Sequence, residues 1–423
     1  MGALMDNSVP DISGVKLCVV GLGYVGFPLA VEFAKYFQVV GFDIDAARVQ
    51  ELLRGFDRTM ELDASDIVAN SKLKLTTHSQ EIEDCNVFIV TVPTPVTEEF
   101  IPDLQPLKDA SKIIAGVLSK GDCVIYESTV YPGVTEEECI PVLEMESGLT
   151  INKDFVVGYS PERINPGDKT RSVCDVVKVT SGSSPAASEF VDSLYSKIIR
   201  AGTHKASSIR VAEASKVIEN IQRDVNIALM NELSQIFDRL QISTREVLTA
   251  AGTKWNFAKF SPGLVGGHCI SVDPYYLLHK ASVAGYIPNL IRKSREINEA
   301  MVSYVAQRFL RELVCRGVNP VGREVVLLGF SFKEDCPDTR NTKVLGLFRE
   351  LESMGFSVKI YDPVVDSREV LAHYNLEIET TMPKGEDCLA ILCVPHAAII
   401  SELGDADFEY VYDFRGVSVE PVN

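Results

Sequence analysis

Apolar residues fall along this chain in two periods. Short continuous runs at 17–20 and 39–42, and those opening CNVFIVTVPTP (85–95), DCVIYESTVYPG (122–133) and FVVGYSPERINPGD (155–168), end in glycine, proline or small polar residues. Such runs read as buried parallel strands that deliver their carboxyl ends to loops. Between the first two runs, 30–37 has the pattern of a helix, so the opening predicts strand, glycine turn, helix, strand. From 207 to 240 the period lengthens: Ala214, Val217, Ile218, Ile221, Val225, Ala228, Leu229, Ile236, Phe237 and Leu240 predict one amphipathic helix of about nine turns. A further helical stretch covers 292–313. The opening pattern then returns, with strand 325–328, helix 343–354 and strand 358–361, followed by strands in 387–396 and 410–416. The pattern predicts an α/β fold, two Rossmann-like doubly wound domains joined by a long central helix. The expected divisions are a tail (1–15), a first domain (16–205), a central helical region (206–315) and a second domain (316–423).

Composition narrows this picture. A chain of 423 residues exceeds what one core supports, which agrees with two domains. The formal charge of −18 argues against nucleic acid and against an anionic membrane surface as partners, so any anionic ligand must be held by local cations or backbone dipoles. Ten cysteines without a CxxC pair suit reduced thiols and a cytoplasmic setting. No metal-ligand motif such as HExxH occurs, and no metal is expected. The first 14 residues lack an apolar core and no run of 18 apolar residues follows, so neither a signal peptide nor membrane insertion is expected.

Candidate chemistry begins at GLGYVG, where Gly21, Gly23 and Gly26 fit GxGxxG between a strand and a helix. The first two glycines allow the turn and the approach of a pyrophosphate, and Gly26 allows helix and strand to pack closely; Tyr24 and Val25 complete the loop. Asp43, 22 positions after Gly21, suits adenosine ribose hydroxyls and repels a 2′-phosphate, so NAD is expected over NADP. Arg48 lies either against that ribose or in solvent on a helix. Thr94, Ser128 and Thr129 stand at strand ends, where a ligand crevice forms. Glu162 is either a solvated loop acid or a carboxylate that activates water. Lys216 and Asn220, four apart, share one helix face and would set a cation beside an amide. In GLVGGHCISVDPYY, Gly263, Gly266 and Gly267 precede Cys269, with Asp273 four residues on. Cys269 is either a buried structural thiol or a nucleophile at the rim of a site. The second domain lacks GxGxxG; Lys333 and Arg340 sit where its first loop would offer cations to phosphates, or are ordinary loop charges.

GLGYVG with FDID, VPTP, YESTVYPG, SPERINPG, EASKVIEN, PGLVGGHCISVDPYYL and GFSFKEDCPDTRNT occur in the order found in the UDP-sugar 6-dehydrogenase family, and the chain resembles that family from about Lys16 onward. The SPERINPG form, with Arg163 after Glu162, resembles the bacterial branch that oxidises UDP-N-acetylhexosamines for surface polysaccharides. The resemblance implies that Cys269 is the nucleophile, that Lys216 and Asn220 stabilise oxyanions, and that Asp273 and Thr129 manage the catalytic water and proton. It implies that Glu162 assists thioester hydrolysis, that Lys333 and Arg415 contact substrate, and that Arg340 contacts the NAD pyrophosphate. Arg163 and Gly263, Gly266 and Gly267 join the substrate contacts on the same ground. It also implies a homodimer whose partner lends a basic residue, here Lys254 or Lys259. The implied reaction takes a C6 alcohol to a carboxylate through two hydride transfers, a thiohemiacetal and a thioester, with UDP-GlcNAc favoured and UDP-GalNAc possible. The alternatives are a UDP-glucose 6-dehydrogenase and an inert NAD-binding sensor or scaffold.

Overall fold

The computed structural model describes residues 9–62, 71–97, 99–164, 171–383, 385–404 and 406–415. Of the expected features, most of the N-terminal tail, residues 165–167 of SPERINPG and Gly416 lie outside them.

The opening pattern folds as expected, with its helix shifted toward the glycine turn. Strand β1 (Lys16–Val20) leads into helix α1 (Gly26–Ala34) and strand β2 (Gln38–Phe42). The helix starts at Gly26 rather than at 30, and ends before 37 because the amides of Lys35 and Tyr36 tighten back onto Glu32 and Phe33. Strands β3 (Leu73–Thr76), β4 (Val87–Val90), β5 (Cys123–Tyr126), β6 (Val156–Tyr159), β7 (Lys178–Gly182) and β8 (Thr203–Lys205) complete a sheet of order β3-β2-β1-β4-β5-β6-β7-β8. The first six strands have the doubly wound order, whose reversal beside β1 opens a crevice at the strand ends. The sheet is not wholly parallel, since β7 runs antiparallel to β6. Fully buried Leu17, Val19, Phe27, Phe33, Ile89 and Ile125 anchor its core.

The long helix, α2 (Ile209–Leu240), forms within two residues of its expected bounds, but with its faces distributed differently. Ile218, Leu229, Ile236 and Leu240, which the periodicity assigns to the buried face, are exposed, as is Val211. Glu213, Lys216, Asn220, Asp224 and Asn231 are buried instead. An apolar stripe marks an inward face only when no polar network competes for it, and here one does.

The second sheet has order β10-β9-β11-β12, with β9 (Glu324–Leu328), β10 (Ser357–Tyr361), β11 (Gly385–Leu392) and β12 (Phe408–Tyr412) all parallel. It repeats the β2-β1-β4-β5 part of the first sheet, and the likeness reaches single hydrogen bonds. The amide of Gly21 donates to the Phe42 carbonyl at 2.8 Å, and that of Gly329 to the Tyr361 carbonyl at 2.8 Å. Asp43 accepts from the amides of Leu22 (2.7 Å) and Asp45 (2.9 Å); Asp362 accepts from Phe330 (2.6 Å) and Val364 (2.8 Å).

The chain divides into two compact units, Met1–Glu219 with Tyr275–Ala284, and Asn220–Pro274 with Gly285–Asn423. The division falls inside α2, within the stretch 206–315 expected as the central region. Among the described residues no helix is long and apolar enough to cross a membrane.

Candidate active site

In the first unit the glycine loop has the form that a dinucleotide needs. Gly21 adopts φ +97°, a region that L side chains rarely enter. A Cβ on Gly26 would lie 1.9 Å from the Gly21 carbonyl oxygen, so that glycine is required by the packing of α1 against the turn. Gly23 has nothing within 4 Å of a Cβ position, and Val25, the N-cap of α1, provides no side-chain cap. The protein itself therefore gives no reason for a glycine at 23, whereas a pyrophosphate approaching uncapped amides does. Asp43 is half-buried and fixed by the two amides named above. Arg48 is not a solvated arginine: it is 3% exposed, donates from Nε to the Leu22 carbonyl (2.8 Å) and from Nη2 to Asp57 (2.7 Å), and braces the loop from behind.

The ends of β4, β5 and β6 are stitched together by their own hydroxyls. Thr94 Oγ1 donates to the Thr129 carbonyl (2.7 Å) and Ser128 Oγ to the Val92 carbonyl (2.6 Å), leaving lone pairs on both hydroxyls for a ligand. Glu162 is not a solvated loop acid either, since it is 6% exposed and accepts the amide of Ile164. Arg163 is engaged by the Val177 carbonyl (2.7 Å) and by Glu219 (2.6 Å), which ties the loop after β6 to α2. Its Nε has no hydrogen-bond partner among the described residues.

Helix α2 presents three aligned polar groups. Glu213, fully buried, accepts the amides of Gly133 (2.6 Å) and Thr135 (2.9 Å), and burial pushes its carboxyl up to about 7. One turn on, Lys216 is 7% exposed and has no hydrogen bond or ion pair among the described residues. A further turn on, Asn220 donates to Asp273 at 2.5 Å; both are buried. A site that stabilises anionic oxygen gives a reason for Lys216 to be there.

Cys269 lies one turn before helix α3 (Asp273–Val283), its carbonyl accepting the amide of Asp273 at 2.9 Å. It is half-buried, unlike the eight buried cysteines, of which Cys139 is pushed by burial up to about 12 and Cys174 and Cys388 to about 11. The structural reading of Cys269 therefore loses its main support. The glycines before it are there for two reasons. A Cβ on Gly266 would lie 2.7 Å from the Asn341 carbonyl oxygen, and one on Gly267 (φ +86°) 2.6 Å from the Phe332 ring, so these two are required by the chain's own loop rather than by a ligand. Gly263 is held by Asn231, which accepts its amide at 2.9 Å and donates to its carbonyl at 3.1 Å.

In the second unit Lys333 is half-buried on the loop after β9. Arg340 is exposed and paired with Asp338 at 2.5 Å. Burial alone would raise Asp338, but Arg340 outweighs it and leaves the carboxyl below its ordinary value. Arg415 pairs with Glu334 at 2.7 Å, and its Nε lies 3.8 Å from where a Gly263 Cβ would stand.

Residues 15–199, 210–300 and 326–417 match, in turn, the NAD binding, central and UDP binding domains of the UDP-glucose/GDP-mannose dehydrogenase family. The chain belongs to that family. Membership makes it an NAD-dependent nucleotide-sugar dehydrogenase, with its dinucleotide loop in the first unit. It is 54% identical over 408 residues, 95% of this chain and 96% of the other, to a UDP-N-acetyl-D-glucosamine 6-dehydrogenase of Pseudomonas aeruginosa. Protein CapL of Staphylococcus aureus is 47% identical over 407 residues, 95% and 96% of the two chains. Among solved structures, a UDP-D-ManNAc dehydrogenase of Pyrococcus horikoshii superposes with a TM-score of 0.85 at 29% identity, covering 97% of each chain.

Sequence reasoning missed a set of buried polar groups on and against α2. Asn231 also donates to Asn298 (2.8 Å), Asn298 to Asp224 (2.7 Å), and Arg295 to Asp224 (2.6 Å), all buried. Their signal was present: Glu213, Lys216, Asn220, Asp224 and Asn231 recur at spacings of three, four, four and seven, a helical period carried by polar residues.

Proposed function

We propose that this dehydrogenase oxidises C6 of a UDP-N-acetylhexosamine to the uronic acid, with UDP-GlcNAc as the favoured substrate and UDP-GalNAc as a second, for bacterial surface polysaccharide synthesis. The observation that carries the sugar assignment is the 54% identity, over nearly the whole of both chains, to an enzyme named for UDP-GlcNAc.

Gly21, Gly23, Tyr24, Val25, Gly26 and Asp43 would hold NAD, with Thr94, Ser128, Thr129 and Arg340 as further contacts, and two NAD molecules in turn would supply the hydride acceptor. Arg48 acts by bracing that loop. Cys269 adds its sulfur to the aldehyde carbon left by the first oxidation, and the resulting thiohemiacetal loses the second hydride to become a thioester. Lys216 supplies the cation, and Asn220 the N–H donor, for the oxygen on which negative charge develops at each step. Asp273 fixes Asn220, and with Thr129 it handles the water and proton; Glu162 draws a proton from the water that cleaves the thioester. Hydrolysis restores the Cys269 thiol and releases the uronate, with both oxidising equivalents taken by NAD. Lys333, Arg415 and the 263–267 stretch hold the UDP-sugar.

We further infer a cytoplasmic homodimer. The ten cysteines form no disulfide among the described residues, which suits a reducing compartment. Val211, Ile218, Leu229, Ile236 and Leu240 lie near whole numbers of turns apart and are exposed, an apolar stripe that a second copy of α2 would cover. Lys254 and Lys259 are exposed on either side of Trp255, itself 92% exposed, which supports a loop that reaches a partner.

The deciding experiment counts NADH formed per sugar consumed with UDP-GlcNAc, UDP-GalNAc and UDP-glucose. Two NADH with an N-acetyl sugar is the expected result. Turnover of UDP-glucose alone would overturn the sugar assignment, one NADH per sugar would remove the thioester route, and no turnover would leave an NAD-binding scaffold.

A further inference from the structure

The two sheets repeat each other closely enough that a difference between them carries information. Strand β4 is followed by Val92, Pro93 and Thr94, and strand β11 by Val394, Pro395 and His396. Val90 and Leu392, which end those strands, pair with Val20 and Leu328, the last residues of β1 and β9. Thr94 and His396 thus occupy equivalent places, four residues past the strand end. Asp43 and Asp362 are equivalent by the hydrogen bonds described above. In the first domain Asp43 is half-buried beside the dinucleotide loop. In the second, Asp362 is 4% exposed, and the group that covers it is His396, which is fully buried.

The bonds of the imidazole are specific. Nδ1 accepts the backbone amide of Asp335 at 2.9 Å, so in the neutral ring the proton sits on Nε2. Nε2 faces Asp362 Oδ2 at 3.1 Å and Ser331 Oγ at 3.2 Å. Ser331 in turn donates to the carbonyl of Lys333 at 2.7 Å, and its amide donates to Asp362 at 3.0 Å. Asp335 closes the ring of contacts by accepting the amide of Ala397 at 3.0 Å. The loop that carries Lys333 is therefore tied on both sides of that lysine to one histidine, while the same histidine occupies the aspartate that its counterpart domain offers to a ribose.

We propose that His396 is a positioning residue for nucleotide-sugar binding. It converts what was a ribose-binding cradle into a clasp that fixes the backbone under Lys333, so that the ammonium meets the diphosphate of the UDP-sugar without first having to order its loop. The proposal rests on the reading of Lys333 as a substrate contact given above. Its physical content is pre-organisation: the fixed loop lowers the ordering cost of binding and leaves the chemical step untouched.

The test uses the full chain, UDP as calorimetric probe, and steady-state kinetics with UDP-GlcNAc and NAD. His396→Leu removes both ring contacts. It should weaken UDP and raise KM for UDP-GlcNAc by about tenfold, with kcat at saturation within about twofold and KM for NAD unchanged. His396→Gln, which can still donate to Asp362 and accept from Asp335, should recover most of the loss. A merely structural histidine would lower kcat and disturb both KM values together, and that result would overturn the proposal. So would a folded His396→Leu with unaltered UDP affinity. Lys333→Ala is the control on the premise: if it leaves UDP affinity unchanged, the substrate role of Lys333 falls and the proposal with it; if it weakens UDP while His396→Leu does not, only the clasp is wrong. Should His396→Leu fail to fold, Ser331→Ala decides by the same measurements, because it cuts the tie to the Lys333 carbonyl and leaves the pair of His396 and Asp362 in place.

Discussion

At the scale of single residues, the proposed chemistry rests on two side chains, Lys216 and Cys269. Among the described residues Lys216, 7% exposed, has no ion pair, while Glu213 one turn earlier on the same helix accepts two backbone amides. An ammonium so placed is a fixed positive potential that needs no rearrangement when an oxyanion forms. Lys216→Met keeps the length of the stem and removes the charge. It should lower kcat by about a hundredfold or more while NAD affinity, measured by fluorescence titration, stays within about twofold. Cys269→Ser makes a sharper demand, since a hydroxyl is a far weaker nucleophile than a thiolate at neutral pH. Uronate formation should fall by about a thousandfold or more, with NAD binding retained. A serine variant that still forms two NADH per sugar would take the cysteine out of the covalent route.

At the scale of elements, the sequence is informative about where helices and strands lie and less so about which way they face. The bounds of α2 were readable from its apolar period, and the glycine loop from three glycines, a strand before and an aspartate after. The inward face of α2 was readable only in part: Val217, Ile221 and Ala228 are buried as the period requires, but hydrophobic periodicity identifies a core face fully only where burial is driven by apolar area. Here Glu213, Asn220, Asp224 and Asn231 also take inward positions, and their cost is offset by hydrogen bonds to partners distant in the chain, such as Gly133, Asp273, Gly263 and Asn298. No local pattern reveals such partners. The outward apolar stripe leads to a prediction of its own. Ile218→Lys with Leu229→Lys places two charges on that stripe without touching a buried side chain, so it should convert a dimer to monomers in sedimentation velocity while leaving circular dichroism unchanged. If the double variant sediments as the parent does, the stripe is not the interface.

At the scale of the whole molecule, the buried carboxylates and the net charge act on stability in the same direction. Burial raises Glu213 from an ordinary 4.5 to about 7 and Asp122 from 3.8 to about 6, and Glu127 and Asp224 are raised by the same cause despite the Lys178 and Arg295 beside them. A carboxyl whose pKa is higher folded than unfolded binds more protons in the native state between those two values. Its contribution to stability is full below the unfolded value and is lost as pH rises through the folded one. For Glu213 the window runs from 4.5 to about 7, and a difference of that size corresponds to about 3 kcal/mol. The formal charge of −18 adds self-repulsion that grows as the remaining carboxylates ionise. Carboxylates such as Asp175, held down to about 2 by Ser172 and Arg200, have the opposite sign but act only at lower pH. Urea unfolding at a series of pH values should therefore show stability falling from about pH 5 to pH 8, rather than reaching a plateau at neutrality. Glu213→Gln should flatten that slope between pH 5 and pH 7, because an amide in the same place has no proton to lose. Parent and variant curves of equal slope would mean that Glu213 stays ionised throughout, with the amides of Gly133 and Thr135 compensating its burial in full.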